Sequence, residues 1–180
     1  MNALDLDMSN AINSQLREWR ENPSSAPRVI LLSGEGASFC GGGDNVISYK
    51  AFKQGLSAEQ MSVGWEMELR ACYGLSQIQK QQRVALWDGF VMGAGVGLSW
   101  HSQFTVATEN TMWAMPETKI GFFADVGASY FLPRRLGVPL ALYIALTGYR
   151  FKGIELVQFG LATHLLKSEK IHELCAKLRQ

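Results

Sequence analysis

The sequence predicts an α/β fold, and two observations carry that prediction. A short apolar run, a glycine-rich loop and a helical stretch follow one another twice, over residues 28–55 and 83–101. No low-complexity segment, charge run or linker interrupts the 180 residues, so a single domain spanning 1–180 is expected. The balance of 47% hydrophobic and 18% charged residues is that of an ordinary globular chain.

Taken in order, residues 3–21 place Met8, Ile12, Leu16 and Trp19 on one helical stripe, ended by Pro23 and Pro27. Residues 28–33 (RVILLS) form a continuous apolar run and predict a strand buried on both faces. After the glycine-rich stretch 34–44, residues 45–55 read as a short helix or loop. A second helix is predicted over 58–79, with Met61, Trp65, Leu69, Tyr73 and Leu75 on or near one face. Residues 83–87 (RVALW) predict another buried strand, turned by Asp88-Gly89, and 91–101 a helix packed tightly on a sheet. Strands are expected at 104–108 and 111–115, a loop over 116–127, and a helix from 128 that Pro133 interrupts. Pro139 suits the first turn of a helix running to 146. A short helix over 153–159, a strand over 163–166 and Ser168 as N-cap of a last helix complete the chain.

Several function classes are disfavoured at once. A net charge of +1 leaves no excess of cations for a nucleic-acid partner. No apolar run reaches the roughly 18 residues of a membrane span. The first residues, MNALDLDMSN, do not read as a signal or transit peptide. Cys40, Cys72 and Cys175 are odd in number and form no CxxC pair, which points to a reducing compartment rather than a disulfide or zinc scaffold. The glycine clusters lack the lysine of a phosphate loop and the third glycine of a dinucleotide fingerprint. Ser99 is not in a GxSxG elbow, and His101, His164 and His172 show no metal-ligand spacing, so no metal is expected.

Three segments carry chemistry: FCGGGD at 39–44, MGAGVGL at 92–98 and MPETKIGFFADVG at 115–127. Small-residue loops after neighbouring strands can aim two backbone N–H donors at one oxygen, as an oxyanion hole does. Glu117 stands in sequence among Trp113, Met115, Phe122 and Phe123, an apolar setting that raises a carboxyl pKa and makes a base near neutral pH. Asp125 supplies a second carboxylate, with a helix cap as its plainer reading, and Asp44 also suits a cap.

Together these segments resemble the crotonase (enoyl-CoA hydratase/isomerase) superfamily, and within it the 3-hydroxyisobutyryl-CoA hydrolase branch that serves valine breakdown. The stretch from MPETKIG to DVGASYFLPR is the most specific part. The resemblance implies a spiral of repeated ββα units lacking the family's first strand and C-terminal helices, so that residues 1–180 are a fragment of a longer pattern. It implies that Gly43 and Ala94 hold the thioester oxygen and that Glu117 is the catalytic carboxylate, as base toward water or as nucleophile through a mixed anhydride. Asp125 becomes its acidic partner, and Glu68, matched across one gap, a substrate-side glutamate. The implied partner is an acyl-CoA substrate, with no separate cofactor, no nucleic acid and no membrane, and the family's C-terminal helices build a homo-oligomer. The implied compartment is mitochondrial in a eukaryote and cytoplasmic otherwise. Two departures stand out: Ala94 where the family has glycine, whose Cβ is expected to resist positive φ, and Ala124 where it has proline. Gly97 occupies the place of a hydratase's first glutamate, which disfavours hydration and leaves a one-glutamate isomerase, or an inactive acyl-CoA-binding paralogue, as the alternatives to hydrolysis.

Overall fold

In the computed structural model, which describes residues 1–179, each repeat adds one strand to each of two sheets. The first sheet takes β1 (Val29–Ser33), β3 (Gln82–Trp87), β5 (Phe104–Ala107) and β8 (His164–Leu165), all parallel and in that spatial order. The second takes β2 (Ser38–Cys40), β4 (Phe90–Met92), β6 (Met112–Ala114) and β7 (Phe151–Lys152), with only the last pairing antiparallel. The chain therefore winds as a spiral of ββα units: β1-β2, β3-β4 and β5-β6 each step one strand along both sheets.

The helices between them are α1 (Leu6–Glu21), α2 (Asn45–Lys53), α3 (Ala58–Ser76), α4 (Ala94–Ser99), α5 (Ala128–Leu136), α6 (Val138–Thr147), α7 (Glu155–Gln158) and α8 (Ile171–Leu178). Asp5 caps α1 through the Met8 N–H, and Asp44 caps α2 through those of Val46 and Ile47. Ser57 and Gln60 close a reciprocal capping box on α3.

Strand β3 explains its own apolar run. Ala85 and Trp87 pack into the main core with Val91, Trp113, Met115 and Phe151, while Val84 and Leu86 face the other way, toward Leu174, Cys175 and Leu178 near the C-terminus. The run 28–33 is different: β1 is an edge strand in which only Ile30 is buried, so the expectation of burial on both faces fails there.

The apolar stripes of the first two long helices also need correction. On α1 the buried positions are Ser9 and Leu16, and Met8 is exposed. On α3, Trp65, Leu69 and Tyr73 are exposed, whereas Glu68, Ala71, Cys72 and Leu75 face inward. Close helix packing is the reason. A Cβ at Gly74 of α3 would lie 2.8 Å from Leu16 Cδ1 of α1, and one at Gly97 of α4 2.8 Å from Cys72 Sγ of α3. Only small residues admit such approach, so the bulky ones turn outward.

Smaller differences follow from local chemistry. Residues 90–92 are strand β4, and α4 begins only at Ala94. Pro133 sits inside α5 without ending it; it removes one backbone donor from a helix whose Phe131 and Leu132 are buried. Ser168 does not cap α8. Its hydroxyl donates instead to the Asp88 carboxylate at 2.7 Å, which also accepts from Thr108 Oγ1 at 2.6 Å and Asn110 Nδ2 at 3.2 Å. That carboxylate joins the turn after β3, the turn after β5 and the C-terminal segment.

Candidate active site

The two glycine loops abut. A Cβ on Gly42 would lie 3.4 Å from Met92 O and 3.9 Å from Ala94 N, and one on Gly93 would lie 3.6 Å from Gly42 Cα. Gly42 and Gly93 both adopt positive φ, 100° and 49°, which is why neither carries a side chain. The left-handed turn thus falls on Gly93, and Ala94 begins α4 without positive φ, so its Cβ meets no backbone strain.

Leu4 fixes the first loop from one side. It donates to Gly42 O at 2.8 Å and accepts from the Asp44 N–H at 3.0 Å, in a parallel bridge centred on Gly43. In such a bridge the central residue's own N–H points away from the partner strand. The Gly43 N–H is therefore turned from Leu4, and the Ala94 N–H is an orphan donor at the first turn of a helix. Helix α4 is itself anchored: the Trp87 indole N–H donates to Ser99 Oγ at 2.9 Å, and Ser99 donates to Gly95 O at 2.6 Å.

A cavity of about 680 Å³ opens over these loops, and Gly43, Ala94, Glu68, Glu117 and Asp125 all line it. Glu117 enters from the single 3-10 turn Glu117–Ile120 that follows β6. Its carboxylate lies against Gly93, where a Cβ would come 2.9 Å from Oε1, and its Oε2 is buried with no hydrogen-bond partner among the described residues. Glu68 projects from the inward face of α3 against Gly43, where a Cβ would lie 2.7 Å from Oε2. Both glutamates are only 8% exposed.

Burial dominates the electrostatics. It pushes the Glu117 carboxyl up to about 7, with its own backbone N–H opposing and the Asp125 charge adding to the rise. Glu68 also stands at about 7, through burial first and then repulsion from Asp125 and Glu117. Asp125 is raised by burial as well, against its own backbone N–H. The Asp125 charge thus acts on both glutamates and the Glu117 charge on Glu68, so that both glutamates hold their protons up to near-neutral pH.

Asp125 does not cap α5, whose N-cap is Gly127 with no side-chain cap bond. It is presented by a strained backbone instead: the next residue, Val126, is buried and left-handed at φ 46°, an unusual conformation for a β-branched side chain. Val126 fills the space beside Gly97, where a Cβ would lie 2.6 Å from Val126 Cβ. Trp65 stacks on Phe122 with ring centroids 5.6 Å apart, holding the same loop to α3, and both rings line the cavity. Neither Val126 nor Trp65 is legible as a site residue from the sequence, since each reads as core; Phe123, expected beside Glu117, is instead 64% exposed.

Comparison with known proteins places this geometry. The family model described as enoyl-CoA hydratase/isomerase matches residues 1–180. The chain belongs to that family. The mitochondrial 3-hydroxyisobutyryl-CoA hydrolase of Xenopus tropicalis is 47% identical over 174 residues, covering 97% of this chain and 44% of the relative. The small ribosomal subunit protein mS47 of Neurospora crassa is 42% identical over 180 residues, covering 99% of this chain and 35% of that protein. Among solved structures, an enoyl-CoA hydratase from Bacillus anthracis superposes with a TM-score of 0.84 at 25% identity, covering 98% of this chain and 66% of that one. The chain thus spans less than half the length of the curated relatives it matches. The expected ββα spiral is what the structure contains.

Proposed function

We propose that this chain is the core of a thioesterase that hydrolyses a short 3-hydroxyacyl-CoA such as 3-hydroxyisobutyryl-CoA, in mitochondria. One observation carries the reading. Glu117, with an unpartnered carboxylate oxygen, faces the same cavity as Asp125, while the space at Gly97 is filled by Val126 and Cys72. A hydratase's glutamate has no room at position 97, and the second carboxylate comes from the loop instead. The compartment rests on the names of relatives.

In the proposed mechanism the thioester oxygen accepts from the Gly43 and Ala94 N–H groups, which stabilise the charge that develops there. Glu117, ionised above about pH 7, takes a proton from the attacking water, or itself adds to the carbonyl and displaces the thiolate to give a mixed anhydride that the water then hydrolyses. Asp125 and Glu68 orient that water and the substrate's 3-hydroxyl. The thiolate of coenzyme A leaves and the free 3-hydroxy acid remains.

A second reading, an assembly component without turnover, draws on the 42% identity to a ribosomal subunit protein. On the full-length protein, a thiol-release assay with 3-hydroxyisobutyryl-CoA, run beside an absorbance assay for loss of the conjugated double bond of a 2-enoyl-CoA, separates the readings. Hydrolysis of the first substrate supports the thioesterase, hydration or isomerisation of the second alone overturns it, and no turnover of either favours the assembly component.

A further inference from the structure

The walls of the cavity carry charge unevenly. Glu68 reaches it from α3, Glu117 from the turn after β6 and Asp125 from the loop before α5, so that distant stretches of chain meet there. Each of the abutting glycine loops has one glutamate against it. A Cβ would lie 2.7 Å from Glu68 Oε2 at Gly43, and 2.9 Å from Glu117 Oε1 at Gly93. None of the three carboxyl groups has an ion-pair partner among the described residues, and Glu117 Oε2 is buried without a hydrogen-bond donor.

No buried cation answers them. Asp5 and Asp44 also line the cavity, but they are occupied in capping α1 and α2. Lys119 and Arg150, the only cations among the described lining residues, are exposed, whereas both glutamates are 8% exposed. The thiols of Cys40 and Cys72 are pushed up by burial first, with the Glu68 charge adding, and stay neutral. A buried negative cluster of this kind is costly until a proton or a cation compensates it.

A neutral acyl group relieves little of that cost. A 3-hydroxyl offers one donor to three carboxyl groups, whereas an ammonium at the same position offers three donors and the compensating charge. We propose that Glu68, Glu117 and Asp125 form a cation site on the cavity floor, and that acyl-CoA thioesters bearing a 3-amino group are bound and hydrolysed there alongside the 3-hydroxy ones. The acyl-CoA portion of this ligand rests on the thioesterase reading above; the charge preference does not. The water oxygen joins the acyl carbon, and the carbon–sulfur bond breaks with its electron pair on the sulfur. One proton of the water passes through Glu117 to that thiolate and the other to solvent, and the 3-amino acid leaves as a zwitterion.

Three thioethers that cannot be cleaved test the site by calorimetric titration of the full-length protein: the S-3-aminopropyl, S-3-hydroxypropyl and S-2-carboxyethyl derivatives of coenzyme A. At about pH 8, where both glutamates are ionised, the amino compound should bind about tenfold or more tighter than the hydroxy one, and the carboxyethyl compound should bind weakest. The amine keeps its proton throughout, so lowering the pH to about 6 should protonate the glutamates and shrink the preference severalfold. Glu68→Gln should shrink it at about pH 8 as well, while the wild-type comparison stands without any variant. Thiol release should be seen from 3-aminopropionyl-CoA as well as from 3-hydroxypropionyl-CoA. An amino compound bound no tighter than the hydroxy one, or a preference equal at the two pH values, overturns the cation site. Release from the hydroxy thioester alone overturns the 3-amino substrate class and leaves the thioesterase intact. A preference among the thioethers with release from neither thioester overturns the thioesterase and leaves the cation site standing.

Discussion

Val126 occupies the volume that a side chain at Gly97 would need: the Cβ of one and the position for a Cβ on the other are 2.6 Å apart. Both belong to the wall behind the reacting groups, since Gly97 lies in α4, whose first residue is Ala94, and Val126 follows Asp125. The interlock therefore excludes one carboxylate geometry and sets another.

Gly97→Glu consequently should not yield a hydratase. Forcing a side chain into the space of Val126 and Cys72 Sγ costs about 1–3 kcal/mol or more, with a buried charge added. Thermal unfolding should show a clear loss of stability, and 2-enoyl-CoA hydration should stay at background. A stable variant with measurable hydration would show that the space is available after all.

Glu117→Gln keeps the shape and removes the base. Turnover should fall by at least about a hundredfold, the scale of general-base loss, while calorimetric binding of coenzyme A persists. In the wild type, kcat/KM should rise with pH through about 7, where the carboxyl ionises, and then level off. Loss of under about tenfold would remove Glu117 from this role.

Asp125→Asn separates hydrolysis from double-bond migration, because only the former needs an oriented water. We expect thioester hydrolysis to drop strongly in the full-length variant. If the wild type instead isomerises a 3-enoyl-CoA without hydrolysing a thioester, and the substitution leaves that activity intact, the isomerase is the correct reading.

Stability should decline as pH rises from about 5 to 8. The reference value for Glu68 and Glu117 is 4.5 and both stand at about 7 in the fold. Between these values the folded state binds more protons than the unfolded chain, so stability is lost as pH climbs through the folded value. Allowing for water at the cavity mouth, roughly 1–2 kcal/mol per group is at stake. Thermal melts across pH should show this fall in the wild type and a flatter profile in Glu68→Gln/Glu117→Gln. Equal slopes in the two proteins would contradict the raised values.

The sequence alone suggests which residues gather at the cavity, and for a physical reason. Small-residue loops after strands mark close backbone approach, and a carboxylate among apolar neighbours marks a shifted pKa, both of which are local properties; the left-handed turn itself falls on Gly93, one residue before the Ala94 at which the sequence raises it. The orientation of α3 was not legible. Its inward face is chosen by the small residues that let α1 and α4 approach, so Trp65 and Leu69 point outward against the hydrophobic pattern. Likewise the apolar run of β1 says nothing of its place at a sheet edge, which depends on strand order. Ser168 stands where a helix cap is expected, yet its hydroxyl goes to a carboxylate eighty positions away in sequence.

That last bond has a bearing on how the molecule comes apart. Helix α8 is held by the small apolar cluster around Val84, Leu86 and Val106, and the segment before it by Ser168 on Asp88 and the Ser168 N–H on Glu109 Oε2 at 3.0 Å. None of these residues lines the cavity. Residues 168–178 can thus open and reclose as their own cooperative unit, exchanging their amide protons early while the glycine loops stay protected.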